Sequence, residues 1–444
     1  MAADNEEAEV TTSAPPPPLV LDGTAKLQLA VLLGTNFLIQ MGVGMIITVL
    51  PLFAQSIGFG AAGIGLIIAL PQLTKLALNL PIGHLVDVYG RKPCLVWGSL
   101  IDAAGQLATG LSTALAPLVP ARLLVGVGSA TGGVTGPATT AYTMDVVGNF
   151  PDHSGTLLGL IQAVGFLAFA VGPTIGGWLA ERTTPAMPFL VLGLMQLVCV
   201  PLKLLLPETL TAERRAIIEA ENAPNSNANA EGGGGDGMAS TDGAGGLAGL
   251  RTSMGGMFAS YRQLLADPRQ IALLAMKCGF LCGLSLILTV VPLHATSVIG
   301  ASAVELGRLY SFVTLLALPL SVLAGVMADR IGRKPLAIAG ALTTALSIAS
   351  VPFTSGKLGY SVVRALWSSG EALLITAYSA LSLDVTPKER RGARNSLDNQ
   401  VSDVALLFLP LIIGAVGQLV SVNAAFWLAS VLMVGSVGVV AKLL

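Results

Sequence analysis

The chain is 444 residues long, 53% hydrophobic and only 11% charged, with a formal net charge of -1. A soluble domain carries about 25% charged residues, so a water-facing surface of this size cannot be clothed and an ordinary soluble enzyme is excluded. The near-neutral balance gives no reason to expect nucleic acid as a partner.

Residues 1–25 hold Asp4, Glu6, Glu7 and Glu9, then Pro15 to Pro18, without the basic stretch that opens a secretory leader. They predict a disordered cytosolic tail. Six apolar segments follow, at 26–53, 62–86, 94–113, 117–145, 155–180 and 186–206. Each has roughly the length of about 20 residues that crosses a bilayer as a helix. Residues 207–269 are polar. Their middle, Ala223 to Gly256, is rich in Gly, Ala, Ser and Asn and cannot bury a core, so the stretch reads as a cytosolic flexible linker. Six more segments come at 270–295, 303–328, 336–355, 359–383, 394–419 and 422–442. The expectation is an all-α, multi-pass membrane protein of twelve transmembrane helices. Its domains are a six-helix half at 26–206, the linker, and a second half at 270–444.

Charge sets the predicted orientation. Loops after even-numbered spans carry Arg91 and Lys92, then Lys203, Arg214, Arg215, Arg251, Arg262 and Arg269, then Arg330, Arg333 and Lys334, then Lys388, Arg390, Arg391 and Arg394. Loops after odd-numbered spans hold little beyond Arg182 and Lys357. Lysine and arginine favour the cytoplasmic side, which places both termini and the linker there.

The halves repeat one another. Leu50-Pro51-Leu52 and a later Gly83-His84-Leu85-Val86-Asp87-Val88-Tyr89-Gly90-Arg91-Lys92-Pro93 match Val291-Pro292-Leu293 and Gly325-Val326-Met327-Ala328-Asp329-Arg330-Ile331-Gly332-Arg333-Lys334-Pro335. Arg122 and Arg364 fall 39 residues beyond Gly83 and Gly325 respectively. A duplicated, like-oriented unit of six spans is the parallel repeat of one large transporter fold.

These residues resemble the major facilitator superfamily. Both copies are similar to its loop signature between the second and third spans, although Val88 replaces the usual Arg in the first. Arg122-x-x-x-Gly126-x-Gly128, Pro207-Glu208-Thr209-Leu210 and Asp384 to Gly392 resemble further family motifs. Gly159, Gly172, Pro173, Gly176 and Gly177 resemble the fifth-span motif of the twelve-span multidrug and tetracycline efflux antiporters, with Ala168 in place of a common Gly. The resemblance implies the major facilitator fold and a secondary transporter, tilted towards proton-coupled export of a small organic solute. It also implies a conformational latch. Asp87 would face the start of span 11 near Gly392 to Ser396, and Arg91 would pair with Asp145. Asp329 would face the start of span 5 at Gly155, and Arg333 would pair with Asp384. The family role of the span-5 motif has a plain alternative, small-residue packing between helices.

Ionisable groups inside a bilayer cost about 2.5–3.5 kcal/mol on insertion scales, so each needs a reason. Lys75 lies mid-span 2 on a stripe with Gln72 and Asn79; Asp102 lies in span 3 with Ser99 and Gln106. Lys75 has two possible partners: Asp102 in its own half, or Asp403, because spans 2 and 11 adjoin in this fold. Glu371, mid-span 10, is the favoured proton carrier, with Asp102, Asp403, Lys75 and Arg122 as further coupling candidates; a paired structural Glu371 is the alternative. Asp398 reads as hydrated near the span 11 end, Lys277 as snorkelling, and Arg122 as either a motif residue or a snorkelling one. Asn36, Gln40, Gln162, Ser285, Thr289 and Arg364 are candidates to line the substrate cavity. Span 1 lacks the acid that related multidrug exporters often carry there, which argues against broad cation export. The four cysteines and three histidines offer no metal-ligand spacing, and no catalytic triad, phosphate loop or cofactor fingerprint is present. A facilitator or symporter for a sugar, metabolite or organic anion is one alternative. A non-transporting receptor on the same fold is another.

Overall fold

A computed structural model describes residues 22–133, 136–210, 260–387 and 390–444. Those residues form thirteen long α-helices and no strand. The first half comprises α1 (Gly23–Ser56), α2 (Ala61–Tyr89), α3 (Arg91–Leu111), α4 (Leu115–Gly132), α5 (Pro137–Gly148), α6 (Ser154–Arg182) and α7 (Met187–Leu204). The second comprises α8 (Pro268–Ser297), α9 (Ala303–Ile331), α10 (Arg333–Ser350), α11 (Gly356–Val385), α12 (Arg391–Leu419) and α13 (Val422–Leu443). Helices α4 and α5 are two pieces of the fourth span, interrupted in the glycine-rich stretch before Pro137.

Ten spans are long and apolar enough to cross a membrane on composition alone. The other two, α3 and α11, carry Ser99, Asp102 and Gln106, and Ser368, Ser369 and Glu371, which lower their hydropathy. They lie packed among the ten and complete twelve spans. Elsewhere the apolar residues run round each helix, which is the pattern of a helix with no watery side.

The two halves use one packing scheme. In the first, α3 packs on α4 and α7, α2 on α4, and α1 on α6; in the second, α10 packs on α11 and α13, α9 on α11, and α8 on α12. Across the halves α2 meets α12, α6 meets α9 and α1 meets α8. Chain direction puts the start of α1 and the end of α13 at the same end of the bundle as the two Arg-Lys loops. That end is called the motif end below, and the other the far end.

Each loop signature makes a one-residue reversal. Gly90 joins α2 to α3 at φ 104°, and Gly332 joins α9 to α10 at φ 101°. Side chains avoid this backbone region, which explains a glycine at that place in both copies. The predicted boundaries shift at two points. Asp22 caps α1, its carboxylate accepting from the Ala25 amide at 2.6 Å, so the first helix begins three residues before the predicted span; residues 1–21, most of the expected tail, lie outside the described residues. The linker bounded at 207–269 is packed at both its ends. Tyr261 and Leu264 are buried against Leu274 and Leu397, and Tyr261 Oη lies 2.7 Å from Ser396 Oγ. Residues 211–259, the rest of the linker, are not described.

Candidate functional site

A cavity of about 380 Å³ lies between the halves on the motif-end side. Its wall includes Thr35, Asn36 and Gln40 of α1, Thr139, Thr140 and Thr143 of α5, Gln162 of α6, Lys203 of α7, and Asn395 and Asn399 of α12. The predicted candidates Asn36, Gln40 and Gln162 come together here. Asn36 is fixed by donating to the Ile161 carbonyl at 2.9 Å.

Three other cavity candidates lie elsewhere. Ser285 and Thr289 are fully buried and return their hydroxyls to Leu281 and Ser285 carbonyls in their own helix, at 2.8 and 2.6 Å. This is the intrahelical bond a hydroxyl makes when no other acceptor is offered. Arg364 is buried with its guanidinium carbon 4.2 Å from the Trp367 ring centre and 5.4 Å from that of Tyr310. Aromatic faces take the place of solvent around that cation. Lys203, read from sequence as a loop residue, is instead in the last turn of α7 and only 4% exposed.

The ionisable groups sort into separate clusters. Lys75 pairs with Asp403 rather than Asp102: its Nζ donates to Oδ1 at 2.9 Å, and Asn79 Nδ2 donates to Oδ2 at 2.8 Å. This cluster bridges the halves through α2 and α12. Asp102 accepts from Gln196 Nε2 at 2.6 Å and Gln106 Nε2 at 3.3 Å within the first half. Arg122 does not snorkel; it is buried and donates from Nε to the Ile67 carbonyl of α2 at 3.2 Å. Glu371 accepts from Trp367 Nε1 at 2.8 Å and lies two turns beyond Arg364 on the same helix. Asp398 is held by Tyr378 Oη at 2.6 and 2.8 Å and pairs with Arg394 at 3.0 Å, so it is not a freely hydrated acid. Lys277 sits over the Tyr378 ring at 5.6 Å.

At the motif end, Arg91 Nε lies 3.3 Å from Asp145 and its Nη2 3.5 Å from Asp87. Arg333 pairs with Asp384 and lies 3.9 Å from Asp329. Among the described residues Asp87 and Asp329 make no ion pair or hydrogen bond to the opposite half. The Asp87 and Asp329 side chains are 40% and 74% exposed. Glu208, a motif residue given no role from sequence, caps α3: its carboxylate accepts from the Arg91 and Lys92 amides at 2.9 and 3.0 Å. A carboxylate is favoured at that positive helix end. Arg330 and Lys334 stay near the surface, where Lys334 donates to the Ala441 carbonyl at 3.4 Å.

At the far end the halves touch backbone to backbone. Gly65 of α2 lies under the Pro410 carbonyl of α12, and Gly414 of α12 under Ala61 of α2. Gly177 of α6 faces the Ala303 carbonyl of α9, and Gly307 of α9 faces the Pro173 carbonyl of α6. Gly172 and Gly176 admit α1 at Met41 and Met45, whereas Gly159 faces open space. Thr174 Oγ1 donates to Ser311 Oγ at 2.7 Å, Gln418 Oε1 accepts from the Ala62 amide at 3.0 Å, and Glu181 accepts from the Val304 amide at 3.1 Å.

A bundle of two like-packed six-span halves, closed at one end with a cavity of mixed polar and apolar lining towards the other, defines a membrane protein of the two-half transporter type. The family profile of the Major Facilitator Superfamily matches residues 32–320 and 273–444, and the chain belongs to that family. It is similar to Multidrug resistance protein 2 of Bacillus subtilis, 30% identical over 186 residues, 42% of this chain and 45% of that protein. It is also similar to Quinolone resistance protein NorA of Staphylococcus aureus, 28% identical over 167 residues, 37% of this chain and 41% of that protein. The chain thus spans less than half the length of the curated relatives it matches. The crystal structure of nucleoside transporter NupG has the same fold, with a TM-score of 0.70 at 13% identity, covering 94% of this chain and 99% of that one.

Proposed function

We propose that the chain is a secondary transporter that moves a small organic solute by alternating access, with protons as the counter-ion of an antiport. The observation that carries this reading is the asymmetry of the bundle. The four glycines Gly65, Gly177, Gly307 and Gly414 seal the far end, while the cavity lies between halves whose motif-end carboxylates Asp87 and Asp329 reach nothing across the gap. Two like halves with one closed end and one open end are one of the two states that rocking about a midplane site requires. Gly83, Asp87, Gly90, Arg91, Lys92 and Asp145, with Asp329, Arg330, Gly332, Arg333, Lys334 and Asp384, form the latch of the other state. Arg91 and Arg333 hold their carboxylates inside each half, ready for the helix starts opposite. The positive loops support a cytosolic motif end, and on that reading the state faces inward.

Glu371 is the proton carrier of this reading. It is held by a neutral donor, Trp367, beside a buried cation, Arg364, so gaining or losing a proton changes a local charge balance in a medium that screens poorly. The multidrug and quinolone resistance proteins among its relatives support export. The absence of an acid from the described cavity wall favours a second reading, a symporter or facilitator.

The test is solute flux in proteoliposomes of the full chain under an imposed pH gradient. Wild type should drive uphill flux in exchange for protons; Glu371→Gln should lose the gradient dependence and keep downhill exchange. Identical pH-dependent flux in both removes Glu371 from the mechanism. Flux indifferent to the gradient in wild type removes proton coupling.

A further inference from the structure

Among the described residues, the cavity wall contains no Asp or Glu and a single cation, Lys203. That lysine is 4% exposed, at the end of α7, where its Nζ donates to Ser99 Oγ at 2.6 Å and to the Gly132 carbonyl at 3.4 Å. Both acceptors are neutral. An ammonium has three donors and no acceptor, so two bonds leave one N–H over, on a side chain that borders the cavity. The acid that feels its charge, Asp102, makes no ion pair with it and is already engaged by Gln196 and Gln106. A buried cation without a carboxylate partner is costly, and the cost falls when an anion arrives.

We infer that Lys203 anchors an anionic oxygen group, a carboxylate or a phosphate, on the solute that occupies this cavity. This deepens the transporter reading and rests on it. The remainder of the wall mixes hydroxyls and amides with apolar side chains such as Leu95, Met144 and Leu158, which suits an amphipathic body that can also exchange hydrogen bonds. Asn395 and Asn399 belong to α12 in the second half. A solute held by Lys203 on one side and by these amides on the other spans the two halves, so its binding favours the state in which they close over it. Lys203 also sits at the negative C-terminal end of α4, and that structural role alone would make it indifferent to what enters the cavity.

The probes are matched pairs, nicotinate with nicotinamide and gluconate with glucose, together with glucose 6-phosphate and tetraphenylphosphonium. Two readouts are taken on the full chain: thermal stabilisation of the purified protein and uptake into proteoliposomes. At least one anion should stabilise the protein and enter at least tenfold better than its neutral counterpart. The carboxylate and phosphate arms tell which group is preferred. Lys203→Gln should reduce that preference at least tenfold, and Lys203→Arg should retain most of it, which a folding defect or a bare helix-end role would not produce. Stabilisation through Lys203 without uptake keeps this inference and sinks the transporter reading. Charge-blind uptake, insensitive to Lys203, does the reverse. Preference for the cation or the neutral partners, or no stabilisation and no uptake with any anion, overturns the inference.

Discussion

A leucine at Gly65 and a leucine at Gly83 should move the same conformational equilibrium in opposite directions, although both glycines lie in α2. A Cβ at Gly65 would stand 2.8 Å from the Pro410 carbonyl carbon and 3.2 Å from the Leu411 Cα of α12. Those are backbone atoms of a helix that cannot yield locally, and overpacking of this kind costs about 1–3 kcal/mol. The cost is paid only while the far end is closed, so the population should shift roughly 5- to 150-fold towards the state open there. A Cβ at Gly83 meets nothing within 4 Å, so Gly83→Leu leaves the described state intact. It obstructs the opposite one, in which the motif end of α2 must approach α12. Spin labels across each end, read by pulsed electron resonance, report both distances. Gly65→Leu should lengthen the far-end distance and shorten the motif-end one; Gly83→Leu should leave only the distances of the described state. Both variants shifting in the same direction, or neither shifting while remaining folded, would refute the rocking-halves argument.

Removing the charge of Asp403 with Asp403→Asn should weaken the α2–α12 bridge by about 2–3 kcal/mol, at or below the usual cost of breaking a buried pair because Lys75 is 18% exposed. A double-mutant cycle with Lys75→Met in detergent unfolding should return a coupling above 1 kcal/mol, and near-zero coupling would deny the bridge any energetic role. Glu208→Ala should cost about 1–2 kcal/mol through loss of the α3 cap, read as a lower midpoint of thermal unfolding. Glu208→Gln should recover part of it, and an unchanged midpoint in both would show the cap to be idle. Thr174→Val should weaken far-end closure without touching the motif end, visible as faster labelling of a cysteine placed at Ala303.

Ten of the twelve spans were legible because hydropathy alone locates helices that lipid surrounds. The repeat was legible because two loop signatures of the same order recur at matching offsets. What sequence left open were choices of direction around a helix axis. Lys75 had two candidate acids, and the structure puts α12 rather than α3 beside it. Ser285 and Thr289 are spaced like a cavity stripe, but they point into fully packed surroundings where their own carbonyls satisfy them. Lys203 looked like a loop cation since it follows an apolar run, yet α7 continues through it. Glu208 became intelligible only when the Gly90 reversal brought the start of α3 under the end of α7. In each case the missing quantity was a contact between residues far apart in sequence, which no single-span pattern encodes.

The glycines sort by end and by helix pair, and this ties the motifs to the motion. On α2, α6, α9 and α12, the helices that face one another across the halves, the far-end glycines Gly65, Gly177, Gly307 and Gly414 all touch backbone of the opposing helix. On the same four helices the motif-end glycines Gly83, Gly155, Gly159, Gly325 and Gly392 meet nothing within 4 Å among the described residues. Glycine in a helix interior costs about 1 kcal/mol relative to alanine, so Gly83, Gly159 and Gly325, interior and without a contact, are a standing destabilisation of the described state. The cost is offset if these surfaces close on each other in a second state, as their far-end counterparts do in this one. The same reasoning explains why Asp87 and Asp329 are exposed while Arg91 and Arg333 are already paired within their halves. On the mechanism proposed above, the intra-half ion pairs would keep each latch assembled, and the carboxylates would meet the opposite helix starts when the motif end shuts. A chain held permanently in one state would gain stability by replacing those three interior glycines with alanine, and retaining them is the expectation for a protein that visits both.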